Sequence, residues 1–315
     1  MTDSEQTVHV RRATPADVPL LTSWTADEPV AWIDAGRLTD ELATGNYRPD
    51  WSWIAERDGR PIGRALWWGS ADATRPVTLD CLTTTARGSE AEAVGTALVR
   101  AGLQAFGAGT PLEYNVDVAP TWRDDPATVE AVRWRHEAAR RGGFARTTER
   151  VSSARTTTDT AAPRSSRLHF APADDPTFRA LFAAVAPGSL DAHTVDMVAR
   201  EGIDALADDD LEFYRSLPGE RAAWRTAHLP DGTTVGFVIP TRTAYDASIS
   251  YLGVLPEHRG HGYVDDLLAE MVRVHQDDGA DRIVGTTDAA NTPMRAAFAR
   301  AGFVVTRVRI VHAQQ

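Results

Sequence analysis

Lysine is missing from this sequence of 315 residues; all 33 of its basic residues are Arg. That excludes every mechanism built on a lysine, including a Schiff base, a P-loop and a Ser/Lys pair. The single cysteine, Cys81, cannot close an internal disulfide, and its strand-like setting from Val77 to Leu82 reads as a buried structural thiol. No run approaches the ~18 apolar residues of a membrane span, and the polar, acidic Met1 to Gln6 does not read as a signal peptide. A cytosolic protein without a membrane partner is expected. Gly-x-Ser-x-Gly and His-Glu-x-x-His are absent and the nine histidines are scattered, so neither a hydrolase elbow nor a metal centre is expected. Acidic residues outnumber basic ones 44 to 33, and both halves share the excess, with 23 against 18 in residues 1–160 and 21 against 15 beyond. Such a field repels phosphate backbones, so a nucleic-acid partner is not expected either.

What is present is enough apolar material, 43% of the chain, for two packed cores. It is arranged as a duplication. Pro15-Ala16-Asp17-Val18-Pro19 returns as Pro172-Ala173-Asp174-Asp175-Pro176, the turn at Asp58-Gly59 returns at Asp231-Gly232, and Arg141-Gly142-Gly143-Phe144 returns as Arg300-Ala301-Gly302-Phe303. Each copy reads as strand, helical region, hairpin, strand, helix, strand, short helix and final strands, an α+β pattern with a mixed, twisted sheet flanked by helices. Val264, Leu267, Leu268, Met271 and Val272 make one apolar helix face, matched in the first copy by Val94, Ala97, Leu98 and Ala101. Thr292 can cap a further short helix, with Pro293 in its first turn and Gly302 at its left-handed exit; its first-copy counterpart runs from Asp125-Pro126 to Gly142. The expected organisation is an N-terminal domain over 1–155, a Thr/Ser/Ala/Pro linker over 156–166 and a C-terminal domain over 167–315.

The segment from Ile249 to Val264 carries the most chemistry. A strand runs into a glycine-containing turn that opens an amphipathic helix, where unpaired backbone N–H groups converge with the positive end of the helix dipole. Such a turn joins strand to helix, and it can also bind an anion. Gly260 and Gly262 allow close approach to a diphosphate, and Arg259 and His261 can add donors. Without a Lys it is no P-loop, and without a third glycine it is no dinucleotide fingerprint.

Val254-x-Pro256-x-x-Arg259-Gly260-x-Gly262 resembles the acetyl-CoA motif of the GCN5-related N-acetyltransferases, the GNAT family, and Asn291 with Ala301-Gly302-Phe303 is similar to that family's next strand-helix-strand block. The likeness covers about residues 168–312 well and residues 8–153 weakly, and it is nearest to tandem, two-domain proteins of actinobacterial type. The resemblance implies two GNAT-like folds, with acetyl-CoA as acyl donor and a small-molecule amine as acceptor. It implies that the strands ending at Val254 and near Thr287 splay apart, that pantetheine pairs with the backbone of Leu252, Gly253 and Val254, and that Arg259, Gly260, His261, Gly262, Tyr263 and Val264 hold the pyrophosphate. Asn291 and Phe298 belong to the same implied cofactor site. Two departures stand out: Val264 replaces a usual Gly or Ala, and Phe298 replaces a Tyr that in many members protonates the leaving thiolate.

Acylating an aliphatic amine requires removing a proton, because at neutral pH only about one in ~2,500 such amines is uncharged. A backbone N–H near Val254 can stabilise the oxyanion. Ser248 to Val254 contains no carboxylate, so the catalytic candidates are Asp288, at the end of the following strand, and Tyr251. Asp288 suits a helix cap equally, and Tyr251 suits a packed strand position. Asp246, His228 and Glu212 are weaker candidates. The run Asp208-Asp209-Asp210-Leu211-Glu212 is either a solvated face or a lure for a cationic amine. In the first copy only Arg87-Gly88 survives from the motif, and Glu90 and Glu92 stand where phosphates would bind, so that copy is expected not to hold cofactor. It carries eight of the nine tryptophans, including Trp32, Trp51 and Trp53, suited to a core or a shaped pocket. An acetyltransferase working as a monomer or homodimer is the leading expectation; a non-catalytic acyl-CoA-binding or regulatory protein is the alternative.

Overall fold

The computed structural model describes residues 8–24, 29–30, 35–106, 111–157, 162–243 and 245–314. Met1 to Gln6, Trp32 and residues 158–161 of the expected linker lie outside them. The chain divides into two compact units, Met1–Glu149 with Val308–Gln315, and Arg150–Arg307.

In chain order the first unit supplies β1 (His9–Arg12), α1 (Val18–Ser23), α2 (Ala35–Thr44), β2 (Tyr47–Arg57), β3 (Arg60–Trp68), β4 (Thr78–Thr84), α3 (Gly88–Phe106), β5 (Glu113–Val118) and α4 (Pro126–Gly142). β1 to β4 form an antiparallel meander, and β4 meets β5 in parallel over Thr78–Leu79 and Glu113–Tyr114. The β2–β3 hairpin turns at Asp58 (φ 50°) and Gly59 (φ 71°), the left-handed pair that a two-residue hairpin favours. Asp125 caps α4 by accepting from the N–H of Ala127 and Thr128. α3 buries Val94, Leu98 and Val99 fully against the sheet.

The strand β6 (Arg146–Thr156) leads into the second unit, which continues with β7 (His169–Ala171), α5 (Asp175–Val185), α6 (Ala192–Glu201), α7 (Ile203–Ser216), β8 (Arg225–His228), β9 (Thr234–Arg242), β10 (Ala247–Val254), α8 (Tyr263–Asp277), β11 (Arg282–Asp288), α9 (Thr292–Arg300) and β12 (Val304–Ala313). β7 to β10 are antiparallel, β10 and β11 are parallel, and β11 pairs antiparallel with Arg150–Thr156 of β6. The apolar face read from the sequence is the core of this unit, with Leu267, Leu268, Met271 and Val272 fully buried.

Two strands mark where the units part. Residues 150–156 pair with β11 in the second unit, whereas Val308–Ala313 of β12 pair with β5 in the first. Long-range ladders of this kind leave no local pattern in a sequence. Nor is the expected linker free at its ends: Thr157 donates to the Asp281 carbonyl, and the Ala162 N–H donates to Gln276 Oε1.

One contact in the first unit is unusually close. A Cβ on Gly102 of α3 would lie 2.5 Å from the indole of Trp67, a fully buried ring packed between Phe106 and Phe144. Alanine ordinarily stabilises a helix by up to ~1 kcal/mol over glycine. Here the overpacked ring reverses the sign, and Gly102→Ala is expected to cost about 1–3 kcal/mol. Urea unfolding followed by tryptophan fluorescence checks this; an unchanged or raised midpoint would contradict the packing.

Candidate active site

β10 and β11 hydrogen-bond only at Ala247–Ile249 and Ile283–Gly285, and beyond that the two parallel strands separate into a fork. A bulge marks the point of divergence: Ile249 faces Pro240 and Tyr251 faces Ile239, so Ser250 is the extra residue. Past the bulge, the Leu255 N–H donates to the Val235 carbonyl of β9. Alternation along an antiparallel strand therefore turns the N–H groups of Leu252 and Val254 away from β9, into the fork. The base of the fork is closed by Phe298, whose ring tip lies 2.5 Å from where a Cβ on Gly285 would be.

From Val254 the chain passes through a short turn into α8, with Gly260 (φ 82°) and Gly262 (φ 73°) both left-handed. Among the described residues no acceptor lies against the N–H groups of Gly260, His261, Gly262, Tyr263 and Val264. Consecutive free amides at a helix start can bind an anion. Two arginines hold the shape of this turn. The Arg259 guanidinium donates to the carbonyls of Val185, Pro187, Gly188 and Val254, tying the turn to the C-terminal end of α5, where a cation is favoured. Arg167 donates to the carbonyls of His261 and Gly262, bonds to Asp266 and lies over the Tyr263 ring. With those carbonyls engaged, the opposite ends of the peptide units point outward.

Beside the fork, within the second unit, lies a cavity of about 1010 Å³. Its walls include Tyr251, Leu252, Thr287, Asn291 and Phe298 from the fork, Arg150 and Ser152 of β6, and Asp209, Asp210, Phe213, Tyr214 and Leu217 of α7. Tyr251 sits in an aromatic cluster, stacked on Phe237 and edge-on to Phe182 and Tyr214. Burial, helped by Asp210 and Asp191, raises the Tyr251 phenol far above neutrality, so it stays protonated. Asp210 is 7% exposed and, among the described residues, has no hydrogen-bond partner. Burial, followed by the charges of Asp209 and Asp191, pushes it up to about 7.

The structure sorts the residues singled out from the sequence. Leu252, Tyr251, Asn291 and Phe298 line the cavity, while Gly260 to Val264 form the amide cradle. Arg259 and His261 are exposed, the guanidinium already bonded to four carbonyls and His261 Nδ1 donating to the Arg259 carbonyl at 3.0 Å. Val264 packs on the core of the unit. Asp288 is 3% exposed, accepts from the Ala192 N–H at 2.7 Å and stands 3.5 Å from Arg150 Nε. It thus holds the first N–H of α6, whose N-cap is Asp191, and burial raises it above the usual carboxylate range. The cap of α9 is Asn291, accepting from the Met294 N–H, where the sequence suggested Thr292. Asp246 pairs with Arg282 at 2.6 Å, and His228 bonds to Thr226 and Thr234 in its own hairpin. Asp208 is paired with Arg179, and Glu212 is exposed.

Sequence reading took Asp210 only as part of an acidic run and did not single out Arg167. Asp210 hides in an acidic run, yet it falls in the buried stripe of Leu206, Ala207 and Asp210, and a carboxylate in an apolar stripe was the available signal. Arg167, distant in sequence from the turn it shapes, gave none. In the first unit, Glu92 does not face a phosphate position: it is buried and paired with Arg133 and Arg141, while Glu90 pairs with Arg57. Gly88 is the one left-handed glycine at that turn, and the Thr85, Ala86 and Ala91 N–H groups already have acceptors.

Residues 198–303 match the model of the Acetyltransferase (GNAT) family. No curated protein matches the chain. Among solved structures, the chain is similar to a GCN5-related N-acetyltransferase from Sphaerobacter thermophilus, with 18% identity, coverage of 98% of this chain and 95% of that one, and a TM-score of 0.50. It is also similar to the GCN5-related glucosamine N-acetyltransferase region of a fungal multi-domain β-N-acetylglucosaminidase, with 13% identity, coverage of 98% and 38%, and a TM-score of 0.55. A tandem GNAT protein from the clavulanic acid biosynthesis pathway aligns at 15% identity over 98% of both chains, with a TM-score of 0.48. Residues 198–303 of the second unit are thus matched as a GNAT acetyltransferase domain, a family whose members transfer an acyl group from acyl-CoA to an amine, and the solved structures share the fold of the chain.

Proposed function

We propose that the second unit transfers an acetyl group from acetyl-CoA to the amine of a small-molecule acceptor. The observation that carries this reading is the run of five free amides, Gly260 to Val264, opening α8 at the end of a strand that also walls the cavity. The cradle suits the pyrophosphate, and the Leu252 and Val254 backbone suits the pantetheine amides. The acceptor then enters from the α7 side.

In this arrangement the amine nitrogen forms a bond to the thioester carbon as the C–S bond breaks. The Val254 N–H, directed into the fork, is the backbone donor for the oxygen that gains charge. Tyr251 is the proton donor that the cavity offers to the departing thiolate, since burial keeps it a phenol. Phe298 packs against Gly285 and carries no hydroxyl that could serve instead. We assign to Asp288 a positioning role, holding the N-terminus of α6 against the cavity.

The expected result is thiol release from acetyl-CoA with at least one of 2-phenylethylamine, cadaverine and glucosamine. Gly262→Asp, which strains a left-handed position and places a carboxylate in the cradle, is expected to abolish coenzyme A binding by calorimetry, while Arg87→Ala in the first unit leaves it unchanged. The converse pattern would move the site to the first unit. Binding without thiol release for every amine would leave a non-catalytic acyl-CoA-binding protein.

A narrower prediction concerns the loop. Arg167→Ala frees the His261 and Gly262 carbonyls and is expected to weaken acetyl-CoA binding about tenfold, in the range of a charge-assisted hydrogen bond, with little change in kcat. A fall in kcat with unchanged affinity would contradict this role.

A further inference from the structure

Four carboxylates line the cavity, and three are already accounted for. Asp191 accepts from the Thr194 N–H and hydroxyl and lies 3.9 Å from Arg150. Asp246 is paired with Arg282. Asp209 is exposed at the rim. Asp210 is different, being more than nine-tenths buried, lining the cavity and lacking a hydrogen-bonding partner among the described residues. Its carboxylate opens onto the cavity, where a ligand can supply the donor that the described residues do not. The groups around it are the Asp209 carboxylate and the Tyr214 phenol from α7, Asp191 and His193 from the start of α6, Tyr251 from β10, and Arg150 from β6. Arg150 is directed to Asp191 and Asp288, so the surroundings of Asp210 are acidic and aromatic.

We infer that Asp210 receives the acceptor as an ammonium and takes its proton, so that this cavity selects protonated alkylamines. The inference rests on the acyl-transfer reading above. Asp209 at the rim and Asp191 inside draw the cation inward, and the Tyr214 and Tyr251 rings give it a desolvated, π-faced setting. The ammonium then passes one proton to the Asp210 carboxylate, leaving a neutral amine and a carboxylic acid. The amine attacks the thioester carbon, the C–S bond breaks, and the second nitrogen proton offsets the one delivered to the thiolate. Asp210 returns its proton to water, so one proton leaves per turnover. Burial makes this transfer feasible: an ordinary carboxylic acid is about six powers of ten more acidic than an alkylammonium, whereas a group at about 7 is only about three powers more acidic.

The test uses the full-length protein with 2-phenylethylamine, cadaverine and glucosamine, comparing wild type, Asp210→Asn and Asp210→Glu. Thiol release is followed from pH 6 to 9.5, and acetyl-CoA affinity is measured by calorimetry. For the fastest amine, wild-type kcat/KM is expected to rise about tenfold from pH 6 to 8, as Asp210 ionises near 7, and then to level. Asp210→Asn is expected to lose about a hundredfold at pH 7 with acetyl-CoA affinity unchanged. Its loss shrinks as pH approaches that of the free amine's own ionisation, and Asp210→Glu recovers part of the rate. An Asn variant within threefold of wild type, or one with an equal loss at every pH, would overturn the role of Asp210 while leaving the transferase reading intact. Absence of wild-type thiol release with all three amines despite acetyl-CoA binding would remove both.

Discussion

A helix cannot bond its own first N–H groups, and in α8 that constraint is concentrated at one turn. Gly260 and Gly262 take left-handed conformations, and the five amides from Gly260 to Val264 face no acceptor of the described chain. Leaving so many donors open is tolerable only where solvent or a ligand satisfies them. Their direction is set by two guanidiniums, Arg259 and Arg167, which bind the carbonyls of the same segment and its neighbours. The arginines therefore frame the turn. The same strand carries the bulge at Ser250 and one arm of the fork between β10 and β11.

The cavity of the second unit combines polar walls with one aromatic side. The aromatic cluster of Phe182, Tyr214, Phe237 and Tyr251 dries one side of the cavity, and Asp210 is embedded beside it. The same burial that keeps Tyr251 protonated lifts Asp210 toward neutrality, so one environment yields both a donor and an acceptor of protons. Asp288 contributes indirectly, because the α6 N-terminus it holds is where Asp191 enters the cavity wall.

Much of this was legible in the residues. Turn and cap signals are local, so the hairpin at Asp58-Gly59, the Asp125 cap and the Gly302 exit appear where the sequence puts them. The apolar stripe Leu267, Leu268, Met271, Val272 marks α8, and the glycine pair marks its cradle. Tertiary geometry is what stayed hidden. The pairing of 150–156 with β11 and of 308–313 with β5 depends on partners more than a hundred residues away. Arg259, read as a donor to phosphate, bonds carbonyls at the end of α5, and Glu92, read as a phosphate surrogate, bonds arginines of α4. Charge alone did not separate Asp208, Asp209 and Asp210; helix phase did, turning one to Arg179, one to the rim and one inward.

The central claim is that backbone amides, and not side chains, grip the diphosphate in the second unit. Amide-resolved NMR during titration with acetyl-CoA addresses it most directly. The account predicts large, saturating downfield shifts of the Gly260, His261, Gly262, Tyr263 and Val264 N–H signals, with Gly88 unmoved. Unperturbed signals over Gly260 to Val264 at saturation, or shifts centred on Gly88, would contradict it.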